Sequence, residues 1–89
     1  MYHYLHMPDE LPRIARLGLG VGQEQLAQAA GLSPRTISKL ESGVKVRLET
    51  KLKVIQTLER LGVEFIFPDE LKGYGIRFRK EWKQKATEQ

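Results

Sequence analysis

Arg35 and Lys39 stand one helical turn apart within Ser33-Pro34-Arg35-Thr36-Ile37-Ser38-Lys39-Leu40-Glu41-Ser42, with the hydroxyls of Thr36 and Ser38 beside them. A guanidinium, an ammonium and hydroxyls on the polar side of one rod are hydrogen-bond donors suited to recognising a polar or anionic partner. Catalysis has no foothold here. Both histidines, His3 and His6, lie in the first eight residues, and Ser33, Ser38 and Ser42 occupy helix ends or the polar helical face, so no nucleophile has a base and an orienting acid. Two histidines three residues apart make a poor metal site without further ligands, and the absence of cysteine removes thiolate sites, zinc fingers and disulfides. Gly18-Leu19-Gly20-Val21-Gly22 superficially looks like a phosphate cradle, but it follows a helical pattern rather than a strand and lacks the Gly-Lys-Ser/Thr ending. The expectation is a binding protein with no cofactor and no enzyme activity.

The chain that must position these side chains has 89 residues, enough for one domain. Small domains without a staple often gain burial by oligomerising, and this one has neither disulfide nor thiolate site. A net charge of +4 and an isoelectric point near 9.6 favour anionic partners. No apolar run approaches the roughly 20 residues of a membrane span, and Met1 to Glu10 lacks the basic start and apolar core of a secretory signal. A soluble, cytoplasmic protein with no membrane role is expected.

Residues 1–8 alternate Tyr2, Tyr4 and His6 with His3, Leu5 and Met7, a pattern that suits a short edge strand or a mobile arm. From Glu10 a first helix is expected, with Pro12 in its first turn, Leu11, Ile14 and Leu17 on its apolar face, and Gly18 and Gly20 ending it. A second runs from Gln23 to about Ala30 with Gly22 as N-cap, and Gly31-Leu32-Ser33 turns sharply into a third. Ser33 followed by Pro34 is a strong start signal for that third helix, which runs to Ser42 and closes at Gly43. Ala27 is small enough to sit where the two helices cross, with Ala30, Leu32, Ile37 and Leu40 filling the space beside it, so the polar residues of the third helix face outward. The basic loop Val44-Lys45-Val46-Arg47 leads to a fourth helix carrying Leu48, Leu52, Ile55, Leu58 and Leu61, capped by Gly62. The period then changes to two. Phe65 and Phe67 alternate with Glu64 and Ile66, and Ile76 and Phe78 with Arg77 and Arg79, predicting a hairpin around Pro68-Asp69 and Gly73-Tyr74-Gly75. Trp82 is expected to cover the hairpin or a partner, and Lys83 to Gln89 to fray. The fold class is mainly α with a small β tail: one domain over 1–89, with a helical core (9–62), a β-hairpin extension (63–82) and an N-terminal arm (1–8).

The run Gln23-Glu24-Gln25-Leu26-Ala27-Gln28-Ala29-Ala30-Gly31-Leu32-Ser33-Pro34-Arg35-Thr36-Ile37-Ser38-Lys39-Leu40-Glu41-Ser42-Gly43 resembles the Cro/repressor-type helix-turn-helix regulators, the XRE family, and the first and fourth helices extend the likeness over Ile14 to Val63. One departure is Gly22, where that family usually caps with serine or threonine. The resemblance implies a four- to five-helix lambda-repressor-like domain whose third helix enters the major groove of double-stranded DNA while the second lies across the backbone. On that footing Arg35, Lys39, Thr36 and Ser38 are the expected base contacts, Arg35 first because its planar fork matches guanine O6 and N7. Gln23, Ser33, Lys45 and Arg47 are the expected backbone contacts. Arg16 and Glu41 match positions that form a partly buried ion pair between the first and third helices.

A two-stranded hairpin is marginal alone, so residues 63–80 must lie on the helical core, pair with the same segment of another chain, or both. Pairing with a second chain is the expectation, with Phe65, Ile66, Phe67, Ile76 and Phe78 as the interface, and the segment resembles the C-terminal extension of a subset of these regulators. The homodimer would present two third helices to successive major grooves, so the operator would be palindromic. Repression is favoured over activation, because occupying a promoter needs no further surface. A second reading is an antitoxin holding a toxin protein and repressing its own operon; a third is an anti-activator that masks another regulator.

Overall fold

The computed structural model describes residues 2–80, with side chains from Tyr4 onward. The expected Trp82 contact and the tail lie outside the described residues. The order is α1 (Tyr2–Leu5), α2 (Glu10–Leu19), α3 (Gln23–Ala30), α4 (Pro34–Glu41), α5 (Leu48–Leu61), β1 (Val63–Ile66) and β2 (Gly75–Phe78). One core holds it together. Leu26, Ile37, Ile55 and Leu58 are wholly buried, and Met7, Ala15, Leu19, Ala27, Leu40, Val54, Val63 and Phe65 complete the cluster.

The turn between α3 and α4 forms as its residue types dictate. Gly31 adopts φ 71° and donates its amide to Ala27 and Gln28 carbonyls, while Leu32 N–H reaches the Ala27 carbonyl at 2.8 Å. Ser33 then opens α4, its Oγ accepting from Thr36 N–H at 3.2 Å ahead of Pro34 in the first turn. At the start of α3 Gly22 has no side chain to accept from a first-turn amide, but the other half of the capping pair is present: Gly22 N–H donates to Gln25 Oε1 at 2.8 Å.

Two expectations are corrected. The N-terminal alternation is not a strand: residues 2–5 make one helical turn, Tyr4 Oη donates to Glu59 Oε2 at 3.2 Å, and Met7 is buried. Lys51 Nζ donates to the Met7 carbonyl at 2.7 Å, which ties the end of this segment to α5. The α2 helix continues through Gly18, and its buried face is Pro12, Ala15, Arg16 and Leu19, leaving Ile14 49% and Leu17 54% exposed. The reason is steric and ionic together. Ala15 lets neighbouring helices approach, Arg16 must face α4, and turning those two inward turns Ile14 and Leu17 outward.

The hairpin forms where the alternation predicts it. β1 and β2 pair antiparallel with Val63 opposite Phe78 and Phe65 opposite Ile76, while Glu64 and Arg77 pair on the outer face at 3.7 Å. The inner face covers this chain's own helices. Phe65, assigned from sequence to a dimer interface, is 6% exposed inside the chain's own core, and Phe67, Ile76 and Phe78 pack against that core half-buried. Phe67 also meets Tyr4 edge-on at 5.0 Å between ring centroids. The strand connection is held by the Asp69 carboxylate, which accepts from Leu71 and Lys72 N–H at 2.8 Å each; these bonds hold its pKa below the usual aspartate value.

Phe78 lies over Gly18, where an added methyl would run into the ring. Gly18→Ala alone is therefore expected to gain nothing, because displacing the ring offsets the improved helix propensity. In a Phe78→Ala background the same change should stabilise by about 0.5–1 kcal/mol. Urea unfolding of the four proteins checks this, and additive effects would refute the contact.

Candidate nucleic-acid interface

Ile37 and Leu40 anchor α4 to the core, 0% and 1% exposed. Those anchors fix what the other side presents. Arg35, Ser38 and Lys39 follow at helical spacing on the exposed face. Thr36 stands at the edge of this face, half-buried, with its hydroxyl 2.9 Å from Ser33 Oγ. Ser33 and Thr36 are thus engaged with each other at the start of α4, and the three side chains projecting from its body are a guanidinium, a hydroxyl and an ammonium.

Behind α4 lies a network of charge-assisted hydrogen bonds. Arg16 Nε and Nη2 donate to the two Glu41 oxygens at 2.6 and 2.9 Å, and Arg16 Nη1 donates to the Val21 carbonyl at 2.9 Å. Gln23 Nε2 donates to Glu41 Oε1 at 3.0 Å. The side chains of Arg16 and Glu41 are 10% and 5% exposed. One carboxylate therefore fixes α2, the α2–α3 turn, the start of α3 and the end of α4 relative to one another. Burial pushes the Glu41 carboxyl up, but hydrogen bonds from Arg16 and Gln23 and the charges of Arg16 and Arg13 outweigh it and hold it below its ordinary value. Hydrogen bonding to Glu41 raises Arg16 against the opposite pull of burial.

Gln23, expected at a DNA phosphate, is thus held from behind by Glu41, at the α3 N-terminus whose first-turn amides precede the helix's own acceptors. Lys45 and Arg47 are exposed in the α4–α5 loop, where Arg47 Nη1 lies 3.6 Å from Glu49 Oε1. That neighbour offsets part of the Arg47 charge. Sequence reasoning missed Arg13, exposed on α2 and close enough to act on Glu41, because its spacing relative to α4 appears only once the helices cross. It also missed Gln25 as the acceptor for the Gly22 amide, although glutamine three residues after a cap position is the signal for one.

The helix-turn-helix family HTH_3 matches residues 13–64, more than half of the chain. The chain belongs to this family, of XRE/Cro type. This helix-turn-helix protein is accordingly a DNA-binding transcription regulator, from a family of regulatory domains rather than enzymes. No curated protein matches the chain by sequence. Among the described residues of the regulator no helix is long and apolar enough to cross a membrane.

Proposed function

We propose that this regulator binds an inverted-repeat operator in double-stranded DNA as a homodimer and represses transcription there, its own promoter included. The observation that carries the reading is the outward stripe of Arg35, Ser38 and Lys39 on a helix locked from behind by Ile37, Leu40 and Glu41. Base readout falls to Arg35 and Lys39, with Ser38 beside them; Thr36, its hydroxyl shared with Ser33, contributes at the edge. Gln23, Ser33, Lys45 and Arg47 meet the backbone, setting register without reading sequence.

Footprinting on the DNA upstream of the protein's own gene tests the proposal. Protection should span two half-sites about one helical turn apart. With Lys45 and Arg47 of each protomer neutralising phosphates, affinity should fall by about a hundredfold between 50 and 200 mM salt. Salt-independent binding, or equal affinity for every duplex, would sink the reading.

A further inference from the structure

A carboxylate close behind a surface meant for a polyanion is an electrostatic liability, and here it is bonded to one of the expected backbone contacts. Glu41 is the last residue of α4 and Gln23 the first of α3, and Gln23 Nε2 donates to Glu41 Oε1 at 3.0 Å. The ion pair with Arg16 does not need that bond. Both Glu41 oxygens already accept from the guanidinium, Oε2 from Nε at 2.6 Å and Oε1 from Nη2 at 2.9 Å.

We propose that Glu41 is a positioning residue for DNA binding, which fixes the Gln23 amide so that a backbone phosphate is met by its nitrogen in one orientation. The inference rests on the DNA-binding reading above and adds to it a residue that touches no DNA. Orientation follows from chemistry. A carboxylate only accepts, so the Gln23 nitrogen must face Glu41; the flipped amide would set its Oε1 against a negative oxygen. The nitrogen's second hydrogen is left for a phosphate. Gln23 is half-buried as well, so its stem is packed while its head is bonded. A side chain ordered in the free protein need not be ordered again at the DNA, which removes one of the costs of association. Arg16 neutralises the carboxylate meanwhile, and the Glu41 side chain is only 5% exposed.

The bond also joins register to readout. Glu41 ends the helix that carries Arg35 and Lys39, and Gln23 opens the helix assigned to the backbone, so one side chain sets the reading helix against the phosphate contact.

A double-mutant cycle in DNA affinity tests the proposal, using a duplex from upstream of the protein's own gene and an unrelated duplex of equal length. All variants are measured where circular dichroism shows them folded. Gln23→Ala should weaken both duplexes by about fivefold, the loss of one hydrogen bond. Glu41→Gln should weaken them as much, and the double variant should be no weaker than Gln23→Ala. The sign is decisive. Removing a negative charge beside a polyanion should by charge alone tighten binding, whereas loss of positioning loosens it. Arg16→Met breaks the same ion pair but leaves Gln23 its acceptor, so it should bind more tightly than Glu41→Gln, although charge alone orders the two the other way. Should Glu41→Gln fail to fold, the cycle is run with Glu41→Asp, which keeps the charge and draws the oxygens back from Gln23. Additive losses in the cycle, tighter binding by Glu41→Gln, or a Gln23→Ala protein that binds as the wild type does overturns the proposal. The operator reading is scored separately. Equal wild-type affinity for the two duplexes sinks the operator and keeps a non-additive cycle, an additive cycle with operator preference intact does the reverse, and a wild type that binds neither duplex sinks both.

Discussion

Replacing Glu41 by alanine is expected to lower the unfolding free energy by about 3 kcal/mol, because it leaves the Arg16 charge unpaired in a nearly dry site. A domain of this size holds about 5–10 kcal/mol in all, so the loss would be visible as a large shift of the urea midpoint. Arg16→Met should cost a similar amount by stranding the Glu41 carboxylate. The double variant Arg16→Met/Glu41→Leu should recover much of both losses, since neither buried charge remains. Simple additivity in that cycle, or a Glu41→Ala protein within about 0.5 kcal/mol of wild type, would show that the network is decorative. The pH dependence has a definite sign. The Glu41 carboxyl is held below its ordinary value of 4.5 in the folded chain, so its contribution is complete above that pH and disappears as pH falls through the lower folded value. The stability gap between wild type and Glu41→Gln should therefore be constant near neutrality and shrink in acid.

The same network shows which parts of this fold can be read from its sequence and which cannot. Caps are local, so Ser33-Pro34, Gly31 and Gly62 announce helix ends through the dihedral angles and hydrogen bonds of a few adjacent residues. The outward face of α4 is nearly as legible, because Ile37 and Leu40 leave a single polar side for Arg35 and Lys39. The α2 helix defeats that logic. Its buried stripe contains an alanine and an arginine, whose value depends on helices elsewhere in the chain, while the larger Ile14 and Leu17 draw the eye to the exposed face. The hairpin is legible in part. Its alternation correctly separates Phe65 and Ile76 from Glu64 and Arg77, yet period two says nothing about what the apolar face covers. The bond from Gln23 to Glu41 joins two helix ends 18 residues apart, so no short window along the chain contains it.

Arg35→Ala is expected to weaken the best operator by about 1–3 kcal/mol and to flatten preference at one base pair of each half-site, leaving binding to unrelated duplexes almost unchanged. Position is the reason. Arg35 projects from the first turn of a helix whose opposite side is anchored in the core, so in the proposed complex a fixed backbone carries its planar fork toward a base edge. Lys45→Ala, in the exposed loop beyond α4, should behave differently. Measured well above the dimer dissociation constant, it should weaken all sequences alike and reduce the salt slope by about one for each phosphate no longer neutralised. Arg47→Ala should follow the same pattern with a smaller effect, because Glu49 already offsets part of that charge. Titrations of single-base operator variants at several salt concentrations separate these outcomes. If Arg35→Ala merely shifts every affinity by one factor, α4 is holding the backbone and the sequence is being read by shape or by another element.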